Sequence, residues 1–352
     1  MTTPIAASRP PAFRPPADAL LVSMVNGHVR SSLLTLAVEL GLAGHLSGQP
    51  VGVDRLAEAT GTRPALLRRV LRALASLGVV AETPDGLFAA TDLTPALGAD
   101  GVRPVGSCLL WLGSPDTVAA VAALGHTLRT GEVAFDHVHG TSYWEWLERN
   151  PEAQRVFRTA QDEFEAIELP AILGCADFSR FGSIVDVGGS RGGLLTTILE
   201  RNPAARGVIF DLPSAVAGVE ERLRGQGLDG RCQVLGGDFF EAVPAGHDAY
   251  ILRRVLHDWG DEPAVRLLRS CARAMSPAAS LLLVERLTPE RVEPSPLTEA
   301  TMLIDMLVLA KHGGKQRSES ELRDLLGEAG LTLTEVRTHP MQLSVVEARR
   351  RD

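Results

Sequence analysis

His257 stands in the run Leu256-His-Asp-Trp-Gly-Asp-Glu262, just past the apolar stretch Asp248-Ala-Tyr-Ile-Leu-Arg253. A histidine at a strand end can act as a general base, because its pKa lies near neutrality. A phenol has a pKa of about 10 and histidine about 6.5, so full proton transfer to an unperturbed ring costs about 5 kcal/mol. Proton loss concerted with bond formation, or a carboxylate beside the imidazole, lowers that cost. Glu285 closes the apolar run Ser280-Leu-Leu-Leu-Val-Glu285 and is the expected orienting partner. Asp258 is a second candidate, although chain neighbours often point apart. Taken alone, His257 is equally well read as a helix-start residue.

A second group of residues forms the loop Asp186-Val-Gly-Gly-Ser-Arg-Gly-Gly193, between an apolar strand and a helix. Glycines there allow a sharp turn and close approach of a ligand to the backbone. The dinucleotide fingerprint G-x-G-x-x-G fails at Ser190 or, one residue on, at Arg191. A phosphate loop needs a lysine, and the chain has only Lys311 and Lys315. What remains is an acid at the strand end, Asp186, suited to an amino-acid ammonium, followed by Gly188, Gly189 and Gly192, whose backbone can lie against a methionine portion. Asp211 follows 25 residues later at the next strand end, where it can hold ribose hydroxyls. Asp238 follows the third strand and can take an adenine amine, with Phe239 and Phe240 beside it as rings that can stack on the base. Each acid alone is more simply a cap or loop residue. Three at successive strand ends behind a glycine turn point to S-adenosylmethionine, with no metal.

The elements that position these groups alternate along the second half of the chain. Ser183–Val187, Gly207–Asp211, Cys232–Leu235, Asp248–Arg253 and Ser280–Glu285 have strand character, with helices between them. Such alternation predicts an α/β, doubly wound parallel sheet. Thr332–Arg337 and Gln342–Val346 are separated by only four residues, which permits antiparallel pairing alone. A parallel sheet with an antiparallel last strand is the Rossmann-like shape of a class I methyltransferase domain, expected over residues 176–352.

Upstream, residues 1–17 hold five prolines and are expected to be a disordered leader. Residues 18–104 show helix, turn, helix and a hairpin around Thr83-Pro-Asp-Gly86, a winged-helix-like pattern. Arg68, Arg69 and Arg72 could form a DNA-reading face or a plain solvated one. Residues 1–105 carry nine arginines against eight carboxylates, too balanced for a DNA reader, so dimerisation or packing is the expected role. Residues 105–175 are expected to be a helical connecting region. Their aromatics, Trp111, Trp144, Trp146, Phe157 and Phe164, serve either as core or as a ligand wall.

Composition agrees with an enzyme of this kind. The chain has 352 residues, 45% apolar and 22% charged, enough for two units with real cores. A net charge of −8 argues against a general nucleic-acid binder. No run approaches the length of a membrane span. Cys108, Cys175, Cys232 and Cys271 are scattered, as expected of buried thiols in a reducing cytoplasm.

Asp186-Val-Gly-Gly, Phe210-Asp-Leu-Pro213, Gly237-Asp-Phe-Phe240, Leu256-His-Asp-Trp259 and Gly313-Gly-Lys together resemble the motifs of plant-type, caffeate-like small-molecule O-methyltransferases, in their bacterial natural-product branch. The resemblance spans nearly the whole chain. It implies a homodimer built through the N-terminal domain, and methylation of a phenolic or polyketide-like hydroxyl in secondary metabolism such as antibiotic biosynthesis. It implies cofactor contacts at Asp186, Gly188, Asp211, Leu212, Asp238, Phe239 and Arg253. His257 would be the base, Glu285 its partner, and Asp258 a further catalytic acid. Phe157, Gln161, Trp259, Met302 and Met306 would wall the acceptor, although the methionines are equally well read as helix packing. Three positions depart from the family pattern: Ser190 replaces a loop glycine, Arg253 a frequent lysine, and Gln316 an acid. Gln316 can hydrogen-bond but cannot stabilise an imidazolium by charge. It therefore leaves open a non-methylating reaction on the same fold: hydroxylation, decarboxylation or ring closure. A winged-helix ligand sensor is the third alternative.

Overall fold

A computed structural model describes residues 16–101 and 103–351. The expected leader lies outside that range except for its last two residues, and Ala17 opens a helix running to Val25. The chain divides into two units, Met1–Gly113 and Ser114–Asp352.

In the first unit, helices Gly27–Glu39, Leu42–His45, Val53–Thr60 and Pro64–Ser76 precede a hairpin of β1 (Val80–Glu82) and β2 (Phe88–Ala90). The last of these helices starts on Pro64, where a missing N–H costs nothing. It buries Leu67, Leu71 and Leu74 at helical spacing. On its opposite face Arg72 and Arg68 approach Glu82 of the hairpin at 3.1 and 4.0 Å. The helix Gly106–Leu112 belongs with this unit, since Leu109 packs on its core and the carbonyl of Leu109 accepts from Thr35 Oγ1 at 3.4 Å. The first unit thus runs past the expected boundary at residue 104.

The second unit carries a seven-stranded sheet: β3 (Ser183–Val187), β4 (Arg206–Asp211), β5 (Cys232–Gly236), β6 (Ala249–Arg253), β7 (Ser280–Glu285), β8 (Leu331–Thr338) and β9 (Ser344–Arg350). Its order is β5-β4-β3-β6-β7-β9-β8. All pairings among β3 to β7 are parallel, and β9 runs antiparallel to both β7 and β8. The expected antiparallel last strand is therefore present, inserted between β7 and β8.

Alternation explains why both faces are covered. Tyr250 and Leu252 of β6 enter one core with Leu281 and Leu283 of β7. Ala249 and Ile251 enter the other with Leu282 and Val284. Near-continuous apolar strands are what a sheet buried on both sides requires. Strand order reverses at β3, with β4 on one side and β6 on the other, which opens a crevice at its carboxyl end. The helix after β4 begins at Val219, where Gly218 adopts a left-handed backbone as its N-cap.

Before the sheet, the 25-residue helix Pro151–Cys175 leads into the fold, with Pro170 in its interior. An aromatic cluster of Phe135, Tyr143, Trp144, Trp146 and Phe157 lies ahead of and along it. The four cysteines are buried. Among the described residues no helix is long and apolar enough to cross a membrane, and no His, Cys, Asp or Glu group could hold a metal ion.

Candidate active site

The acids expected at strand ends all lie along one edge of the sheet. Asp186 is next to last in β3, Asp211 ends β4, and Glu285 ends β7. Asp186 is only 3% exposed, and burial followed by the neighbouring Glu165 carboxylate pushes its pKa up to about 7, against the pull of Arg253. A carboxylate held so high is one that an entering cation would ionise. Arg253 ends β6, pairs with Glu165 at 3.2 Å and Glu168 at 3.5 Å, and keeps a buried Nε without a hydrogen-bond partner. A raised acid and an orphaned donor match the two charges of a zwitterionic amino-acid end, so the residues present fit the methionine part of S-adenosylmethionine.

The loop after β3 is shaped for close approach. A Cβ at Gly188, whose φ is 72°, would meet Val255 at 2.6 Å. Ser190 adopts φ 47°, a conformation that favours glycine, which explains why its place in the loop suits one. Its N–H donates to Asp211 Oδ2 at 2.9 Å, and the N–H of Leu212 donates to Oδ1 at 2.7 Å. Burial raises the Asp211 pKa, and those two N–H groups oppose the rise. Asp238 Oδ1 accepts from the N–H of Phe240 at 2.7 Å. Phe239, Phe240 and Trp259 pack edge to face, with Phe240 and Trp259 centroids 4.7 Å apart.

His257 sits in the single turn Leu256–Asp258 and is buried. Its Nδ1 lies 2.8 Å from Glu285 Oε2 and its Nε2 lies 3.4 Å from Asp258 Oδ1. Asp258 therefore does face the ring, at the nitrogen opposite the one Glu285 holds. Burial works to lower the His257 pKa, but Glu285 and then Asp258 overcome it and leave the pKa raised. Burial pushes Asp258 itself up to about 6. Gln316 Nε2 stands 3.3 Å from His257 Nδ1, and its Oε1 is buried without a hydrogen-bond partner. The loop Gly313-Gly-Lys-Gln316 abuts the base directly: the N–H of Lys315 donates to the His257 carbonyl at 2.8 Å. A side chain at Gly314 would collide with that carbonyl.

A cavity of about 290 Å³ opens beside His257 and Gln316, with Phe164, Leu297, Ala300, Ile304 and Met341 as its apolar wall. None of the five residues expected to wall the acceptor lines this cavity. Phe157 packs on Tyr143 and Trp144, and Trp259 on the two phenylalanines. Met302 and Met306 share the helix Pro296–His312 with the wall, but two residues out of phase with Ala300 and Ile304, and Met306 is 36% exposed. Gln161 stands in the helix Pro151–Cys175, outside the cavity lining.

Glu165, Glu168, Arg254 and Arg286 were not anticipated. A signal exists for the acids: Asp162, Glu165 and Glu168 recur every three residues on one helix, and each meets an arginine of the sheet edge or loop. The spacing marks a face, but only the fold shows what that face covers.

An O-methyltransferase domain family matches residues 121–332. An O-methyltransferase dimerisation domain matches residues 22–99. The chain is 37% identical to a phenazine O-methyltransferase of Lysobacter antibioticus, over 95% of this chain and 96% of the relative. It is 38% identical to a mitomycin biosynthesis 6-O-methyltransferase of Streptomyces lavendulae, over 91% of this chain and 90% of the relative. Among solved structures it resembles an O-methyltransferase from neocarzinostatin biosynthesis in complex with S-adenosylmethionine and 2-hydroxy-5-methyl naphthoic acid. There the TM-score is 0.78 at 30% identity, covering 92% of this chain and 96% of the other.

Proposed function

This chain belongs to the O-methyltransferase family, and from that premise we propose that it methylates a phenolic hydroxyl of a small aromatic natural product, with His257 as general base. The cofactor is S-adenosylmethionine, which supplies an electrophilic methyl group on a sulfonium. Asp186, Gly188, Arg253, Asp211, Leu212, Asp238 and Phe239 are the residues proposed to hold it. The observation that carries the assignment of the base is the 2.8 Å contact from Glu285 to His257, beside a cavity at the carboxyl ends of β6 and β7.

Glu285 accepts a hydrogen bond from Nδ1–H and so leaves Nε2 as the acceptor of the phenolic proton. The raised pKa narrows the gap to a phenol by about 1.4 kcal/mol for each unit gained. Once Nε2 is protonated, its N–H can donate to Asp258. The rest of the rate comes from alignment of the two reactants, a contribution of about 7–11 kcal/mol at its upper range. A homodimer is proposed from the matched dimerisation domain and from the helix Ala17–Val25, which buries none of its residues. Four buried thiols agree with a cytoplasmic setting.

The test is turnover of a phenol panel with methyl-labelled cofactor, following label in the product and S-adenosylhomocysteine by mass spectrometry. Both should appear with at least one phenol. Cofactor binding and acceptor conversion without S-adenosylhomocysteine would instead establish the non-methylating reaction.

A further inference from the structure

The cavity beside His257 is apolar on one side only. Its other side carries Glu168, Arg254 and Arg286. Glu168 is 2% exposed, and its Oε1 lies 3.3 Å from Arg254 and 3.5 Å from Arg286. Its Oε2 lies 3.5 Å from Arg253. Three guanidinium groups thus converge on one buried carboxylate. Burial would raise the Glu168 pKa, but the three cations overcome this and hold it below the usual carboxylate range.

Arg253 has Glu165 as a second partner, whereas Arg254 and Arg286 share a single oxygen of Glu168. Charge-assisted N–H···O bonds run at about 2.7–2.9 Å, so these longer contacts leave both forks incompletely matched. Arg286 also donates to the Met341 carbonyl at 3.0 Å, and Arg254 lies over the Phe164 ring at 4.7 Å. Each guanidinium has five N–H donors, more than these contacts use. The cavity lining therefore sets two guanidinium groups against one carboxylate, a surplus of positive charge that an entering anion would balance.

Backbone strain adds to the case. Arg254 sits at φ 54°, in the left-handed region, with its N–H bound to the Val284 carbonyl at 3.1 Å. Such a conformation costs a non-glycine residue about 1–3 kcal/mol and persists where surroundings impose it, as at ligand clamps.

We infer that the acceptor is an aromatic hydroxy acid, whose carboxylate is received by Arg254 and Arg286 while its hydroxyl faces His257. The volume of about 290 Å³ lies at the small end of ligand cavities, which suits one or two fused rings. The hydroxyl half of this statement rests on the methyl-transfer reading. The carboxylate half does not.

Calorimetry on the protein loaded with S-adenosylhomocysteine separates the two. The probes are 1-naphthoate and 1-naphthamide, which differ in charge and have no hydroxyl to methylate. The acid should bind at least tenfold more tightly. Arg286→Met should bring the acid-to-amide ratio close to one, and Arg286→Lys should keep part of it. Equal binding of acid and amide overturns the inference. So does a ratio unmoved by Arg286→Met in a variant that melts like the unaltered protein. Tighter binding of the acid, with no methylation of any hydroxynaphthoate, supports the carboxylate site and counts against methyl transfer.

Discussion

Glu285 grips His257 with both carboxylate oxygens: Oε2 lies 2.8 Å from Nδ1, and Oε1 accepts the backbone N–H of Leu256 at 3.1 Å and of His257 at 3.4 Å. One side chain thus fixes the turn, the ring and the charge beside it. Glu285→Gln retains the shape and removes the charge. Because Glu285 is what raises the His257 pKa against burial, the variant's acidic limb of kcat/KM should move to lower pH. Its plateau should fall at least tenfold, since a weaker base drives proton removal less. His257→Ala should cost about 10²–10⁴-fold in turnover. An acidic limb that stays in place in Glu285→Gln would show that the limb reports another group.

Gln316 tests how much charge the base needs. It stands 3.3 Å from Nδ1, on the side where Glu285 already lies. Gln316→Glu adds a second carboxylate there, which should stabilise the imidazolium and raise the His257 pKa further. The acidic limb should then shift to higher pH, opposite in sign to Glu285→Gln. Turnover above that limb should increase. Identical pH profiles for Gln316→Glu and the unaltered enzyme would sever Gln316 from the base.

These two residues also show what the chain reveals before folding. Strand ends are legible because apolar runs alternate with helices, so Asp186, Asp211 and Glu285 could be placed on one edge. His257 and Glu285 could be paired because adjacent parallel strands, β6 and β7, carry them to the same edge. Glu165, Glu168, Arg254 and Arg286 could not, since their meeting depends on how the helix Pro151–Cys175 lies over the sheet, a tertiary matter. The helix Pro296–His312 shows the same limit at finer scale: its rotation, which sets Leu297, Ala300 and Ile304 against the cavity, is not legible in the chain.

Cofactor affinity should depend on pH through Asp186. Its pKa in the protein, about 7, lies above the ordinary 3.8, so near pH 6 the acid is mostly protonated. Binding an ammonium favours the ionised form and must displace that proton. Affinity should therefore rise with pH up to about 7 and then level off, by at most about tenfold per unit on the rising part. Glu165, Arg253 and Asp211 face the same group and share in the linkage. Asp186→Asn should bind more weakly and with a flatter profile. Calorimetry between pH 5.5 and 8.5 measures this, and an unaltered slope in Asp186→Asn would assign the proton to a neighbour.

The N-terminal helix gives the last prediction. Leu20, Leu21, Val22, Met24 and Val25 of Ala17–Val25 are between 42% and 72% exposed. Contiguous apolar surface of this kind marks a contact with another chain. Each such side chain contributes about 1.5–3 kcal/mol when fully buried, so five of them can hold two copies together. Leu21→Glu places a charge in the middle of that face without touching the core of either unit. The unaltered chain should elute as a dimer with light-scattering detection, and Leu21→Glu should shift towards monomer at micromolar concentration. A variant that stays dimeric would move the interface off this helix. An unaltered chain that is monomeric would remove the homodimer altogether.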